Sequence, residues 1–312
     1  MPLQFTFLSV EHGFLEMQYL PLNYIEPVFR PPSEAHSLIL QVTNGCSHNQ
    51  CTFCEMYTED QKKFRPKSEA DIKAEIHKVA RLSVRKIFLA DGDAMVLSSR
   101  RLTTILNTIR ECMPQVIRVS AYCLPSNIKH KSVEELIALR ESGLGMVYVG
   151  CESGDNEVLS LVKKGETFDS SREALVKLKR AGIKTSVMIL NGLGGRVYSE
   201  QHALNSARLM NDAQPDYLST LVVSFPQGEE RFRGGFNGQF EPLDTMGLFR
   251  EMRTLIGQLE LEKTIFRSDH ASNYLVLKGV LGKDKQRLLD MVDTAIHQPG
   301  RIPLRPDWMR GL

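Results

Sequence analysis

Tryptophan occurs once in 312 residues, and cysteine is absent after Glu241. No stretch approaches the ~18 consecutive apolar residues of a membrane-spanning helix, so no membrane partner is expected. The longest apolar runs, such as Leu221 to Val223, have the length of buried strands. Net charge is also nearly missing. Thirty-nine basic residues against thirty-seven acidic ones leave +2, which provides no evident electrostatic patch for nucleic acid. Arg301, Arg305 and Arg310 lie among prolines and read as a solvated tail. The start, Met1-Pro2-Leu3-Gln4, has no basic n-region, and Glu11 follows soon after. A secretory signal is therefore not expected, and the expected location is cytoplasmic, where thiols stay reduced. A hydrophobic fraction of 42% and a charged fraction of 24% describe an ordinary globular chain. The length suits one large α/β domain with appendages or two small domains.

What is present is a concentration of thiols. Of six cysteines, Cys46, Cys51 and Cys54 fall within nine residues, while Cys112, Cys123 and Cys151 are scattered. Their spacing is C-x4-C-x2-C. Three thiolates on one loop can hold three irons of a cubane cluster and leave the fourth iron open to a small molecule. Zinc competes, because His48 lies inside the loop and would complete a Cys₃His set. Structural zinc more often draws its ligands from two separated pairs. Three unliganded cysteines at this density are the third reading.

From Ser37 onward, β-rich runs alternate with amphipathic helical segments. Strands are expected at 38–42, 86–90, 116–121, 146–150, 185–190 and 217–223. A helix with Ile72, Ile76, Val79 and Ala80 on one face begins near Ser68. Ser132 with Glu135, and Ser170 with Glu173, have the spacing of capping boxes. Another helix is expected from about Ser199 to Asp212. Six β/α repeats imply a parallel sheet, either a partial barrel or an open doubly wound sheet, with functional residues gathered after the strand C-termini. After about Glu241 two helical stripes follow, Leu248-Met252-Leu255-Leu259 and Leu288-Leu289-Val292-Ile296. The expected division is an N-terminal extension (1–36), a core (37–240) and a C-terminal cap region (241–312).

Several segments of the core resemble the radical S-adenosylmethionine (SAM) superfamily. Its pattern is C-x3-C-x-Φ-C after the first barrel strand. Here Phe53 fills the aromatic slot, and the first interval is one residue longer. Asp91-Gly92-Asp93 is similar to the family's Gly-Gly-Glu element. Gly150-Cys151-Glu152-Ser153-Gly154-Asp155-Asn156-Glu157-Val158-Leu159, with Lys163-Lys164-Gly165 beyond it, resembles the Glu-Ser-Gly segment. That segment belongs to the branch with methylthiotransferases, elongator-type enzymes and coproporphyrinogen dehydrogenases. Ile189-Leu190-Asn191-Gly192-Leu193-Gly194-Gly195 is similar to the glycine-rich turn after strand five. The matches span about 37–227.

The resemblance implies a partial (β/α)6 TIM-type barrel with an N-terminal extension and a mainly helical C-terminal region. It implies a [4Fe–4S] cluster on Cys46, Cys51 and Cys54, and SAM bound near Phe53, Gly92, Asp93, Glu152, Ser153 and Asn191. The activity implied is reductive SAM cleavage and hydrogen abstraction from an unidentified substrate, fed by an external electron donor such as flavodoxin or ferredoxin. Asp93 reads equally well as a helix N-cap, and Lys164 as a solvated lysine. Cys123, Cys151 and Tyr122 follow or end strands, where burial in the core is the leading reading and an inward-facing hydrogen donor the alternative. Arg267 to Asn273 reads as a turn between helices, or as a closure over the barrel mouth using His270 or Asn273. The lack of cysteine after Glu241 argues against a second cluster, and so against methylthiotransfer. Two other functions stay open: a cluster-binding sensor or scaffold without SAM turnover, and a zinc-stabilised α/β binding module.

Overall fold

The computed structural model describes residues 21–310, so the chain start read above and the first part of the N-terminal extension lie outside the described residues. The strands are β1 (Leu38–Gln41), β2 (Thr43–Asn44), β3 (Arg65–Pro66), β4 (Lys86–Ala90), β5 (Arg118–Cys123), β6 (Leu144–Glu152), β7 (Lys184–Asn191), β8 (Tyr217–Val222), β9 (Ile265–Ser268) and β10 (Leu277–Val280). Eight of them form one sheet in the order β1-β4-β5-β6-β7-β8-β9-β10, while β2 and β3 make a short ribbon of their own. Neighbours from β1 to β9 are parallel, and β10 closes the series antiparallel to β9. The helices are α1 (Glu69–Val79), α2 (Ser99–Cys112), α3 (Val133–Glu141), α4 (Asn156–Leu161), α5 (Phe168–Arg180), α6 (Gly195–Ala213), α7 (Glu230–Gly235), α8 (Thr245–Gln258) and α9 (Leu281–His297). This is the partial TIM-type barrel expected. No helix among the described residues is long and apolar enough to cross a membrane.

Alternation along each strand separates two environments. Val119, Ala121 and Cys123 on β5, Val147, Val149 and Cys151 on β6, and Val187 and Ile189 on β7 join the helices in one large apolar core. Their neighbours Tyr122, Tyr148, Gly150, Ser186, Met188, Ser219 and Leu221 face the other way and keep partial exposure. The inner face bounds a lumen whose β1–β5 side is filled, where Ile39, Phe88 and Ala90 are buried against Tyr24, Val28, Tyr122 and Tyr148. Cys123 and Cys151 lie in the outer core, which settles their location in favour of packing.

Helix starts follow local chemistry. Ser68 caps α1, and Ser132 with Glu135 forms the expected box on α3. The box expected at Ser170 and Glu173 is displaced. Thr167 is the N-cap of α5 and accepts from the Ser170 amide at 3.1 Å, because its hydroxyl reaches the orphan N–H groups one turn earlier. The third strand is also shifted, since Val116 bends back to Met113 and pairing starts only at Arg118. The C-terminal region is mainly helical and adds β9 and β10, two strands of four residues that the helical stripes did not signal. Arg267 to Asn273 consequently spans the end of β9 and the turn toward β10, rather than a link between helices.

The segment 21–37 covers the outer edge of β1. Tyr24 donates to the Ile39 carbonyl at 2.9 Å, and the Ile25 amide donates to Gln41 at 2.9 Å. Buried Glu34 then pairs with Arg118 at 2.6 Å and accepts from the Tyr148 hydroxyl at 2.7 Å. An edge strand covered in this way presents no ladder to a second chain.

Candidate active site

The cysteine loop leaves β1 through Thr43-Asn44-Gly45 and lies over the C-terminal ends of the strands. Gly45 is required by contact: a Cβ there would lie 1.9 Å from the Lys62 carbonyl oxygen. Gly92, just past β4, is required for the same reason. Its Cβ would fall 2.4 Å from the Gly45 oxygen and 2.6 Å from the Cys46 Cα, and its φ of +23° also favours glycine. The Asp91-Gly92-Asp93 element therefore seats the loop. Asp91 is fully buried against Lys62 and accepts from Gln41 at 3.0 Å. Asp93 makes no side-chain cap. It instead accepts from the Ser47 amide at 2.8 Å, from the Ser47 hydroxyl, and from Asn127 at 3.0 Å.

Three further anchors hold the loop. The Thr52 amide donates to Val162 at 3.0 Å, and His48 Nε2 contacts the Lys163 carbonyl at 2.8 Å. Arg231 on α7 donates to the Cys54 carbonyl at 2.7 Å and the Cys51 carbonyl at 2.8 Å. His48 lies against Gly165, where a Cβ would come within 2.4 Å of its ring. All six cysteines are free thiols. Burial pushes the Cys51 thiol up to about 11 and raises Cys46 and Cys54 too, while the Lys164 charge opposes each rise. Among the described residues, no three His, Cys, Asp or Glu side chains converge as ligands of one metal ion. A cubane makes no such demand, because each cysteine holds a different iron.

Across from the thiols stands Glu152. A bulge between Gly150 and Glu152 interrupts the β6–β7 pairing, and Glu152 takes a φ of +65°. Bulges re-aim side chains, and this one turns the carboxylate back over Gly150 on the inner face. A Cβ on Gly150 would lie 2.1 Å from Glu152 Oε1, so the glycine makes the room. Lys164 Nζ stands 3.3 Å from that oxygen, with both side chains less than a tenth exposed. Glu152 Oε2 is buried with no partner, as are Asp91 Oδ1 and Asn44 Oδ1. An unmatched buried acceptor is costly unless a ligand's donor meets it. Phe53 is half-buried beside a cluster containing Phe225, Phe232, Phe236 and Phe240, and its ring centre lies 5.9 Å from Lys164 Nζ.

Two of the expected SAM contacts are committed elsewhere in this arrangement. Ser153 is fully buried, 2.7 Å from His202 Nδ1, and accepts from the Asp155 amide at 2.9 Å. Asn191 donates to the Leu248 carbonyl on α8 at 3.3 Å, and the Gly192 amide donates to Glu251 at 2.5 Å. Gly154 admits the α6 backbone, since a Cβ would sit 2.2 Å from the Asn205 oxygen. His270 bonds Ser272, and Asn273 donates to the Thr220 carbonyl at 2.8 Å, so both shape the turn after β9. Lys164 is the central residue that sequence reasoning set aside. Its signal was the Lys163-Lys164-Gly165 run following Gly150-x-Glu152.

Comparison with known families finds the radical SAM superfamily model matching residues 40–210. The chain belongs to the radical SAM superfamily. As a radical SAM protein it is an enzyme, and the family's cofactors are a [4Fe–4S] cluster and SAM. A Methanocaldococcus jannaschii protein bearing a methylthiotransferase name is 23% identical over 87% of this chain and 65% of its own length. A tRNA-2-methylthio-N(6)-dimethylallyladenosine synthase of Chloroherpeton thalassium is 23% identical over 67% of this chain and 46% of its own. The chain thus spans less than two thirds of either relative. Among solved structures, the cobalamin-dependent SAM radical enzyme OxsB superimposes with a TM-score of 0.50 at 15% identity, covering 89% of this chain and 39% of OxsB. That likeness concerns the fold alone.

Proposed function

We propose that Cys46, Cys51 and Cys54 hold the [4Fe–4S] cluster and that the inner face beneath the loop, on the side of Gly150 and Glu152, receives SAM and a substrate. The observation that carries this reading is the buried, unpartnered Glu152 Oε2, set beside Lys164 within electrostatic reach of Cys51. When bound, the cluster and SAM supply one-electron cleavage to methionine and a 5′-deoxyadenosyl radical. The chain's own residues prepare the place. Glu152 offers its free oxygen to an ammonium or hydroxyl of SAM, and Lys164 fixes that carboxylate. Gly92 lets the cysteine loop approach the lumen, where its backbone contributes in place of a side chain. Asp93 holds the loop at Ser47, and Arg231 holds it at Cys51 and Cys54. The Phe225 to Phe240 aromatics and Phe53 shield the mouth from water, which protects a reactive carbon. Ser153 and Asn191 act at one remove, by anchoring α6 and α8 around the site.

An external low-potential donor such as flavodoxin or ferredoxin supplies the electron, in the reducing setting that six free thiols suit. The substrate is a separate small molecule or polymer segment that reaches the lumen. The test is anaerobic reconstitution with iron and sulfide, then dithionite and SAM, with 5′-deoxyadenosine measured by chromatography. The enzyme releases it, and each single cysteine-to-alanine variant does not. Cluster absorbance without cleavage would indicate a sensor or scaffold. One zinc and no iron after anaerobic purification would overturn the reading.

A further inference from the structure

Of the phenols near the lumen, two are committed as donors, Tyr148 to Glu34 and Tyr24 to the Ile39 carbonyl. Tyr57 accepts from the Gly92 amide at 2.9 Å and is only 4% exposed, so its hydrogen is closed off by burial. Tyr217 lies beneath the Arg267 guanidinium at 5.2 Å, a position in which a cation disfavours oxidation of the ring. Tyr122 differs from all of them. It points inward from β5, is only partly exposed, and its hydroxyl has no hydrogen-bond partner among the described residues. Its ring is held edge-on by Phe88 at 4.9 Å and by Tyr148 at 6.3 Å. Tyr122 is the last inward-facing residue of β5 (Arg118–Cys123), at the strand end over which the cysteine loop lies. The two thiols that could compete, Cys123 and Cys151, face the outer core.

We propose that Tyr122 is the hydrogen-atom donor of the lumen, able to quench a carbon radical formed there. The inference rests on the proposed function, since it needs a radical in this lumen. In the step, the phenolic O–H of Tyr122 breaks and a C–H bond forms at the radical carbon. The phenol is oxidised by one electron to a neutral phenoxyl radical, and the carbon radical is reduced. The phenoxyl returns to phenol by taking one electron from the same low-potential donor and one proton from water. A phenolic O–H is weaker than a primary alkyl C–H, so the transfer runs downhill. The free hydroxyl matters because a phenol already donating to a carboxylate, as Tyr148 does, has its hydrogen directed away from the lumen.

The test needs no substrate. Reconstituted enzyme in thiol-free D2O is given dithionite and SAM, and the 5′-deoxyadenosine is examined by mass spectrometry. Exchangeable phenolic deuterium is expected to appear in the product of wild-type enzyme and of Tyr148→Phe, and to fall to natural abundance in Tyr122→Phe. Freeze-quenched wild-type enzyme is expected to show a tyrosyl doublet that narrows when the tyrosines are ring-deuterated, a result that stands even if Tyr122→Phe fails to fold. Unlabelled product from wild type, equal labelling in Tyr122→Phe of normal iron content, or no tyrosyl signal would overturn Tyr122 alone. Absence of any 5′-deoxyadenosine would overturn the proposed function, and this inference with it.

Discussion

Replacing Lys164 by methionine keeps most of the side-chain length but removes the amine facing Glu152. The two groups are 3.3 Å apart with 5% and 9% of their side chains exposed, so solvent screens them little. At an effective dielectric near 20, a pair at that distance attracts by about 5 kcal/mol before desolvation is counted. Removing one partner of a buried pair leaves an uncompensated charge, and such single losses cost about 3–5 kcal/mol. Glu152 has no second donor to fall back on, because Oε2 is already unpartnered. We therefore expect Lys164→Met to lose about 3 kcal/mol in urea unfolding of the cluster-free chain. The double variant Lys164→Met with Glu152→Gln should return to within about 1 kcal/mol of wild type, since no buried charge remains. The pH dependence has a definite sign. Burial already raises the Glu152 carboxyl above its ordinary 4.5, and losing Lys164 raises it further. The folded state then binds a proton that the unfolded state releases, so stability falls as pH rises through that window. The deficit of Lys164→Met should be full above the raised value and fade as pH falls toward 4.5. A deficit below about 1 kcal/mol, or one unchanged by pH, would refute the assignment of a charge-bearing pair.

Other perturbations read different parts of the site. Gly92→Ala drives a methyl against the Gly45 carbonyl and the Cys46 backbone, and is expected to cost about 1–3 kcal/mol and to lower bound iron, measured by unfolding and metal analysis. Arg231→Ala removes both guanidinium contacts to the cysteine loop, and should speed cluster loss under a chelator while leaving the far side of the barrel unchanged by hydrogen exchange. Gly154→Ala pushes α6 away and is expected to destabilise by a similar ~1–3 kcal/mol with intact cluster binding per folded molecule. Cys151→Ala should cost roughly 1 kcal/mol of packing and leave the iron content unchanged, since its thiol faces the helices.

Much of the frame was legible because strands and helices here obey simple periods. Val147, Val149 and Cys151 alternate as a strand should, and Ser132 with Glu135 marks a helix start by chemistry local to four residues. The short strands β9 and β10 were not legible, because four residues carry too little alternation to outweigh the helical stripes around them. Within the site, the cysteine spacing and the glycines could be read directly. What could not be read was direction. Glu152, Ser153 and Gly154 are adjacent in sequence, yet a bulge sends the first toward the lumen while the second meets His202 and the third meets α6. Lys164 looked like a solvated lysine because only the folded chain brings it under Gly150. Asp93 looked like a cap because Ser47, its real partner, is 46 residues away.

The three-way split of that short segment shapes how the chain can change over generations. Ser153 is bound to the fortunes of His202, Gly154 to the backbone of α6, and Glu152 to Gly150 and Lys164. Lineages are expected to drift in these linked groups, each swap at one member tolerated only beside its own partner. A tripeptide that reads as one inherited signature would then be three independent contracts, and only the first concerns the chemistry.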